Sequence, residues 1–423
     1  MEKGRKVFGG AFWVLLLVAV VAAITCFTLV QLNSGKKEVS EATEEPEPEP
    51  EPEPVAVSAK ARYMYAGTTF WGRRINQFAR KSDLGTKYPF SQLSTLKPDR
   101  YDAWIAGLEC PVTQKENNYH NYDKEYGIYE FNCDPDYLTE AAKYFDVFGL
   151  GNNHTDNQGG ATGLKETRKH LDDAGIQYFG TPRFTNDPNN RYYPQEKWRD
   201  EVDAKACAIV VLPINVTYDN DEKVEMKLPF GFCSGHGVYG VPQDDIFQEM
   251  KDYAAVVPTI AMPHMGVEYQ NSNDQLRQNV YHRMIDTGVD AVIADHPHHV
   301  QNAEAYKGKL IVYALGNFMF DQLVAPERVR SAAIEANAEI DLKDVDIEAW
   351  NALGEACLGD KASCFEKIKA ANLPKISIAW KYDYHATTSA TSCITRLADN
   401  NYQMAVGQRL KWSSIPASLK VSK

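Results

Sequence analysis

Cysteine pairs at zinc-site spacing are missing from this sequence. Neither a Cys-x-x-Cys nor the Cys/His pattern of a structural zinc site occurs, which excludes a structural zinc module. Basic charge is scarce as well. Lys and Arg number 45 against 57 Asp and Glu, a formal net charge of −12. Nucleic-acid binding favours basic patches, so no nucleic-acid partner is expected. No internal repeat is visible, which excludes an array of small modules. No basic residue lies between residues 38 and 59.

That last stretch, EVSEATEEPEPEPEPEPVAVSAK (38–60), carries eight Glu before Val55. Alternating Glu and Pro cannot build a core. Charge repulsion and the polyproline preference make it an extended, semi-rigid spacer. Upstream, residues 11–30 (AFWVLLLVAVVAAITCFTLV) contain no charge. A helix of twenty residues, at about 1.5 Å each, crosses a hydrocarbon core roughly 30 Å thick. Lys3, Arg5 and Lys6 precede it and favour a cytoplasmic N-terminus. The run exceeds the apolar region of a cleaved signal peptide, about 7–15 residues. The expected organisation is a cytoplasmic stub and single-pass membrane anchor (1–37), the spacer (38–60), and an extracytoplasmic domain (61–423).

Seven cysteines lie beyond the apolar run. Export permits disulfides, and an odd count leaves at least one thiol over. Proximity in the chain favours Cys110 with Cys133 and Cys357 with Cys364. Short apolar runs alternate with helical patterns throughout the domain. ARYMYAG (61–67), DAWIAGLE (102–109), DVFGLGNNH (146–154), ACAIVVLPIN (206–215), AAVVPTIAMPH (254–264), DAVIADHPHH (290–299) and KLIVYALGNFMFD (309–321) read as strands. Residues 163–176 and 274–288 read as helices. This alternation predicts an α/β layered fold with strands buried on both faces. Residues 343–372 read as a helical insertion.

Polar residues gather where these strands end: Glu109; Asn152, Asn153 and His154; His264 and Glu268; His296, His298 and His299; Asn317 and Asp321. Loops at the carboxyl ends of strands build the sites of α/β sheets. Imidazole and carboxylate suit zinc, manganese or iron, and Asn adds a neutral oxygen. Pro297 between His296 and His298 predicts a turn that aims both at one point.

Six segments in order resemble the CapA family of bacterial capsule and poly-γ-glutamate synthesis proteins: GTTFWGR (67–73), GLE (107–109), GNNHTDNQG (151–159), HMGVE (264–268), HPHHVQ (296–301) and YALGNFMFD (313–321). The resemblance covers about residues 61–321. It implies a calcineurin-like metallophosphoesterase-type fold, two packed sheets flanked by helices. It also implies a role in making or exporting a surface polymer, with the membrane, the polymer (polyglutamate or polysaccharide) and a membrane synthase or export complex as expected partners. Its pattern departs from the family's at Thr68, where the family has Asp, at Gly107, and at Asn157, beside which Asp156 is a candidate substitute. Phe70 stands where metallophosphoesterases of this fold place a histidine. The implied centre is therefore one divalent cation (Mn, Zn or Fe) on Glu109, Asn153, His264 and His296. His298 is left on a depleted second position, and His154 is placed to protonate a leaving group. Arg73, Glu268 and Asn317 are the expected substrate contacts. The function expected is metal-dependent hydrolysis or transfer, or else polymer binding and assembly on a degenerate metal site.

Overall fold

The computed structural model describes residues 53–114, 131–181, 205–238, 240–390 and 392–422. The apolar run and the spacer as far as residue 52 lie outside them. Among the described residues no helix is long and apolar enough to cross a membrane. The strands in chain order are β1 (Ala56–Thr69), β2 (Ala103–Leu108), β3 (Val147–Gly149), β4 (Gln177–Phe179), β5 (Cys207–Tyr218), β6 (Lys223–Cys233) and β7 (Thr259–Ala261). They continue with β8 (Ala291–Ile293), β9 (Ala303–Tyr306), β10 (Lys309–Val312), β11 (Asn317–Met319), β12 (Arg330–Ile340), β13 (Ile378–Thr388) and β14 (Arg396–Leu397).

Strand β1 organises these elements because its neighbour changes along one edge. Residues 56–60 pair antiparallel with β5, and residues 63–69 pair parallel with β2. Its other edge pairs with β12 and then with β11. The strands therefore divide at β1 into two layers. One continues through β2, β3 and β4, all parallel. The other runs β5-β6-β7-β8-β10-β9, and its β6, β7, β8 and β10 are parallel.

Side chains alternate between two environments, as the pleat requires. Tyr63 and Tyr65 of β1 and Ile105 of β2 enter the core between the layers, together with Ile293 of β8 and Leu310 of β10. Met64, Trp104 and Leu108 face outward onto the helices Arg73–Lys81 and Ala161–Asp173. Val292 and Ile311 face the helices Asp244–Val256 and Gln275–Asp286. Both layers of this continuous 14-stranded sheet are thus covered on both faces, as the apolar strands predict, with helices on the two outer faces.

Several boundaries differ from expectation. The folded domain begins at Ala56, so the last residues assigned to the spacer are sheet. Residues 254–256 are helical: Phe247, Met250 and Tyr253 set a helical period that runs into them, and Pro258 then separates β7. The segment 309–321 is two strands in different layers. Gly316, at φ 76°, turns the chain between them, and β11 joins β1. β6 and β12 carry weak sequence signals because Lys, Glu and Pro229 interrupt their alternation. Residues 343–372 are helical as expected, with helices Ile347–Gly359 and Cys364–Ala371. The expected disulfides Cys110–Cys133 and Cys357–Cys364 are present, with a third, Cys207–Cys233, that joins β5 to β6. Cys393 is the buried free thiol.

Gly67 lies where β1 meets β11. A Cβ there would sit 2.1 Å from the Gly316 carbonyl oxygen, whereas one on Gly359 meets nothing within 4 Å. Gly67→Ala is expected to lower stability by about 1–3 kcal/mol, the usual range for overpacking. Gly359→Ala should leave it nearly unchanged. Thermal melts of the two variants check the contrast.

Candidate metal centre

Strand ends from both layers converge. Glu109 follows β2 directly, and its N–H donates to the Thr69 carbonyl at 3.0 Å, which keeps β1 alongside up to this point. After β3 the chain turns sharply. Asn152 Nδ2 donates to the Leu108 carbonyl at 2.6 Å, and its Oδ1 accepts from the His154 N–H at 3.0 Å. That tie sets Asn153 and His154 beside Glu109. From the other layer, His236, His264 and Asp295 follow β6, β7 and β8 and are joined by consecutive parallel bridges. His296 and His298 take φ of 102° and 57° around Pro297. Such backbone costs about 1–3 kcal/mol per residue and collects at functional sites. The Pro297 carbonyl accepts from the Tyr269 N–H at 2.8 Å and holds this turn.

His264 Nε2 lies 3.0 Å from Asn153 Oδ1, 3.0 Å from His296 Nδ1 and 3.5 Å from Glu109 Oε1. One N–H satisfies only one acceptor. Glu109 is 1% exposed, yet neither of its oxygens accepts a hydrogen bond. A carboxylate so placed is strongly disfavoured unless a positive charge joins it. Metal–ligand bonds of about 2.0–2.2 Å hold neighbouring tetrahedral donors roughly 3.3–3.6 Å apart. The spacings around His264 are close to that, and Glu109, His264 and His296 offer donor atoms all within 4.8 Å of one another. The residues therefore fit one cation, with Asn153 as the neutral oxygen.

Two further imidazoles face Glu109 Oε1, His154 Nε2 and His298 Nε2, each at 3.9 Å. The Asn317 carboxamide is oriented by Nδ2 bonds to Gln322 Oε1 and the Arg328 carbonyl. Its Oδ1 thus receives His298 Nδ1–H at 2.7 Å, leaving a lone pair on Nε2. Asn157 Oδ1 accepts from the Phe131 N–H and holds His154 Nδ1 at 2.8 Å. Phe131 stacks on that imidazole at 3.7 Å.

Burial dominates the electrostatics of these groups. Burial pushes the Glu109 carboxyl up to about 7, with His298 opposing and Glu268 adding to the rise. Burial lowers His264 and His154 to about 3 each. His296 is driven well below its ordinary value, by burial and then by His264. His154, His264 and His296 are therefore neutral, the state in which imidazoles ligate metals.

The remaining expected residues fall elsewhere. Arg73 is not free to clamp a substrate anion. Its Nε and Nη2 bond to Asp321 at 3.1 and 2.5 Å, and its guanidinium lies 4.3 Å from the Phe131 ring centroid. A buried carboxylate and an aromatic wall have taken the fork. Asn317 is engaged by His298, Gln322 and the Arg328 carbonyl. Glu268 is solvent-exposed, and its charge reaches Glu109 and His264. Asn157 orients His154, so Asp156 does not substitute for it. Phe70 packs against Phe131 and Phe320.

Two residues of the site were absent from the sequence reading. Asp295 is buried, and its Oδ2 accepts a hydrogen bond from the Thr68 hydroxyl. Burial lifts it to about 8. The carboxylate missing at position 68 is thus met by one from the next layer. Its signal was its place before the His-Pro-His run. His236 follows β6, and the weak signal of that strand hid it.

The fold and this centre lie within a recognised group of proteins: residues 62–322, more than half of the chain, match the family described as bacterial capsule synthesis protein PGA_cap. The chain belongs to that family. It is 27% identical over 259 residues to the capsule biosynthesis protein CapA of Bacillus anthracis, covering 60% of this chain and 59% of the relative. It is 28% identical over 230 residues to the PGA biosynthesis protein CapA of Bacillus subtilis (strain 168), covering 53% and 54%. The chain thus spans a little over half the length of these curated relatives. A solved structure, TT1561 of Thermus thermophilus, overlaps 68% of this chain and 96% of its own at a TM-score of 0.29 and 10% identity, too weak a likeness to carry an argument.

The pKa directions set a pH window. A carboxyl raised in the fold stabilises it below the unfolded value, about 4.3 for Glu, and that contribution is lost as pH rises through about 7. Histidines lowered in the fold act oppositely: their contribution is present above about 6.5 and is lost as pH falls towards about 3. A cation needs the ionised carboxylate. The rise in melting temperature on adding Mn²⁺ or Zn²⁺ should therefore grow from pH 6 to pH 8. A rise that stays constant over that range contradicts the assignment of Glu109.

Proposed function

We propose that this chain acts in the synthesis or export of a capsule-type surface polymer, as a single-pass membrane protein with its folded domain outside the cytoplasm. The observation that carries a chemical role is the Glu109 carboxylate, buried without a donor and faced by His154, His264 and His298. Glu109, Asn153, His264 and His296 would hold one divalent cation (Mn, Zn or Fe). When bound, that ion supplies Lewis-acid polarisation of a phosphoryl or acyl oxygen. The motif resemblance and the two sheet layers with helices on their outer faces support a calcineurin-like metallophosphoesterase-type domain, and the reaction class is hydrolysis or group transfer.

The chain's own residues set the conditions. Asn153 and His296 orient His264. Asn317 fixes His298 in the tautomer whose Nε2 faces Glu109. To act as a general acid, His154 must first take a proton at Nε2, and an anionic substrate beside it favours that uptake. Thr68 and Phe70 favour a second reading, a polymer-binding or assembly subunit in a membrane synthase or export complex. Neither residue offers the second metal position a strong ligand.

Elemental analysis of the purified full chain tests the cation. About one equivalent is expected, and His264→Ala should lose it. Two stoichiometric metals would sink the one-cation reading. No metal, and no thermal shift on adding Mn²⁺ or Zn²⁺, would sink the centre itself. Turnover of a phosphodiester or of poly-γ-glutamate, lost in His154→Ala, marks an enzyme. Binding without turnover marks the assembly subunit.

A further inference from the structure

Tyr269 directly follows the HMGVE segment and takes φ of 61°. A bulky residue adopts that left-handed backbone only where its surroundings hold it, and such residues collect at functional sites. The Tyr269 N–H donates to the Pro297 carbonyl at 2.8 Å, which ties it to the His-Pro-His turn. Its ring is half-buried and lies against His298, with centroids 5.8 Å apart and planes inclined by 22°. His298 Nε2 in turn faces Glu109 Oε1 at 3.9 Å. The ring therefore walls one side of the candidate metal centre.

Gln322 aims the phenol. Its Nε2 donates to the Tyr269 oxygen at 3.0 Å, and its Oε1 accepts from Asn317 Nδ2 at 3.2 Å. A phenol oxygen that already accepts directs its own hydrogen elsewhere. Here it turns to the exposed side, where the Glu268 carboxylate bonds it. Burial, followed by Glu268, lifts the phenol to about 12, so the hydrogen stays in place at neutral pH.

Arg328 supplies charge beside it. Its guanidinium carbon lies 3.7 Å from the Tyr269 ring centroid, and its Nε is buried without a partner. Among the described residues no carboxylate forms a salt bridge with it. The Arg328 carbonyl accepts from Asn317 Nδ2 at 3.0 Å, so the amide that meets Gln322 also holds the Arg328 backbone. Arg73, by contrast, is spent on Asp321.

We infer that Tyr269 and Arg328 form an oxyanion-binding wall beside the metal centre, the phenolic O–H and the guanidinium each donating to an oxygen of a phosphate or carboxylate group on the ligand. This deepens the hydrolysis or transfer reading and rests on its cation centre. The bound group takes the place of Glu268 at the phenol, and the exposed Glu268 turns back into water. Stacking on Tyr269 holds the planar guanidinium ready for a contact that the point charge of a lysine does not reproduce.

Isothermal titration calorimetry tests the wall, with inorganic phosphate and acetate each titrated into the full chain in detergent, both Mn²⁺-loaded and metal-free. Tyr269→Phe keeps the ring and removes the O–H. Arg328→Gln removes the charge and the fork. Each variant should bind the anion roughly tenfold more weakly, with metal content and melting temperature as in wild type. That loss for either anion supports the wall, and the anion that binds more tightly identifies the ligand group as phosphoryl or carboxylate. Equal affinity in wild type and both variants overturns the wall, as does a wild type that binds neither anion in either form. A wild type that takes up no Mn²⁺ sinks the cation centre, and the wall then stands or falls on the same tenfold loss in the metal-free chain.

Discussion

A buried carboxylate without a hydrogen-bond donor is the constraint on which the centre depends. Glu109 sits at the mouth of the two-layer core with three imidazole nitrogens within 3.9 Å of Oε1 and neither oxygen bonded. Leaving such a group ionised and alone is unfavourable by far more than ordinary packing offsets. The fold holds it there through β2, which β1 keeps in register up to Thr69. The division at β1 is what allows histidines from one layer to reach a carboxylate of the other.

The same geometry explains how the chain tolerates Thr68. The threonine hydroxyl cannot replace a carboxylate ligand, but it hydrogen-bonds Asp295 from the facing layer. A carboxyl group near Glu109 is thus supplied from the facing layer, and burial favours its neutral form. Arg73 shows the opposite economy. Its guanidinium answers Asp321 and an aromatic cage, which ties the Arg73–Lys81 helix to the end of β11 and makes it a structural element of the site's rim.

Much of this was legible in the residues. Glu109, Asn153, His154, His264, His296 and His298 stand at strand ends, which pointed to one shared polar site, and their separate roles came from the family resemblance. The Pro297 turn and two disulfides were equally readable. What escaped depended on contacts between distant segments. Asp295 gains its meaning from Thr68, 227 residues away. His236 follows a strand whose Lys and Pro residues blur its alternation. Arg73 looks like an anion clamp in sequence, because nothing local shows that Asp321 lies opposite. The weight of Arg328 appears only when its guanidinium folds against the Tyr269 ring.

The most direct test of the account is anomalous X-ray diffraction from crystals of the full chain soaked in Mn²⁺ near pH 8. A single anomalous peak within bonding distance of Glu109, Asn153, His264 and His296 is the predicted result. A peak of equal height between Asp295 and His298, or none at Glu109, would contradict it.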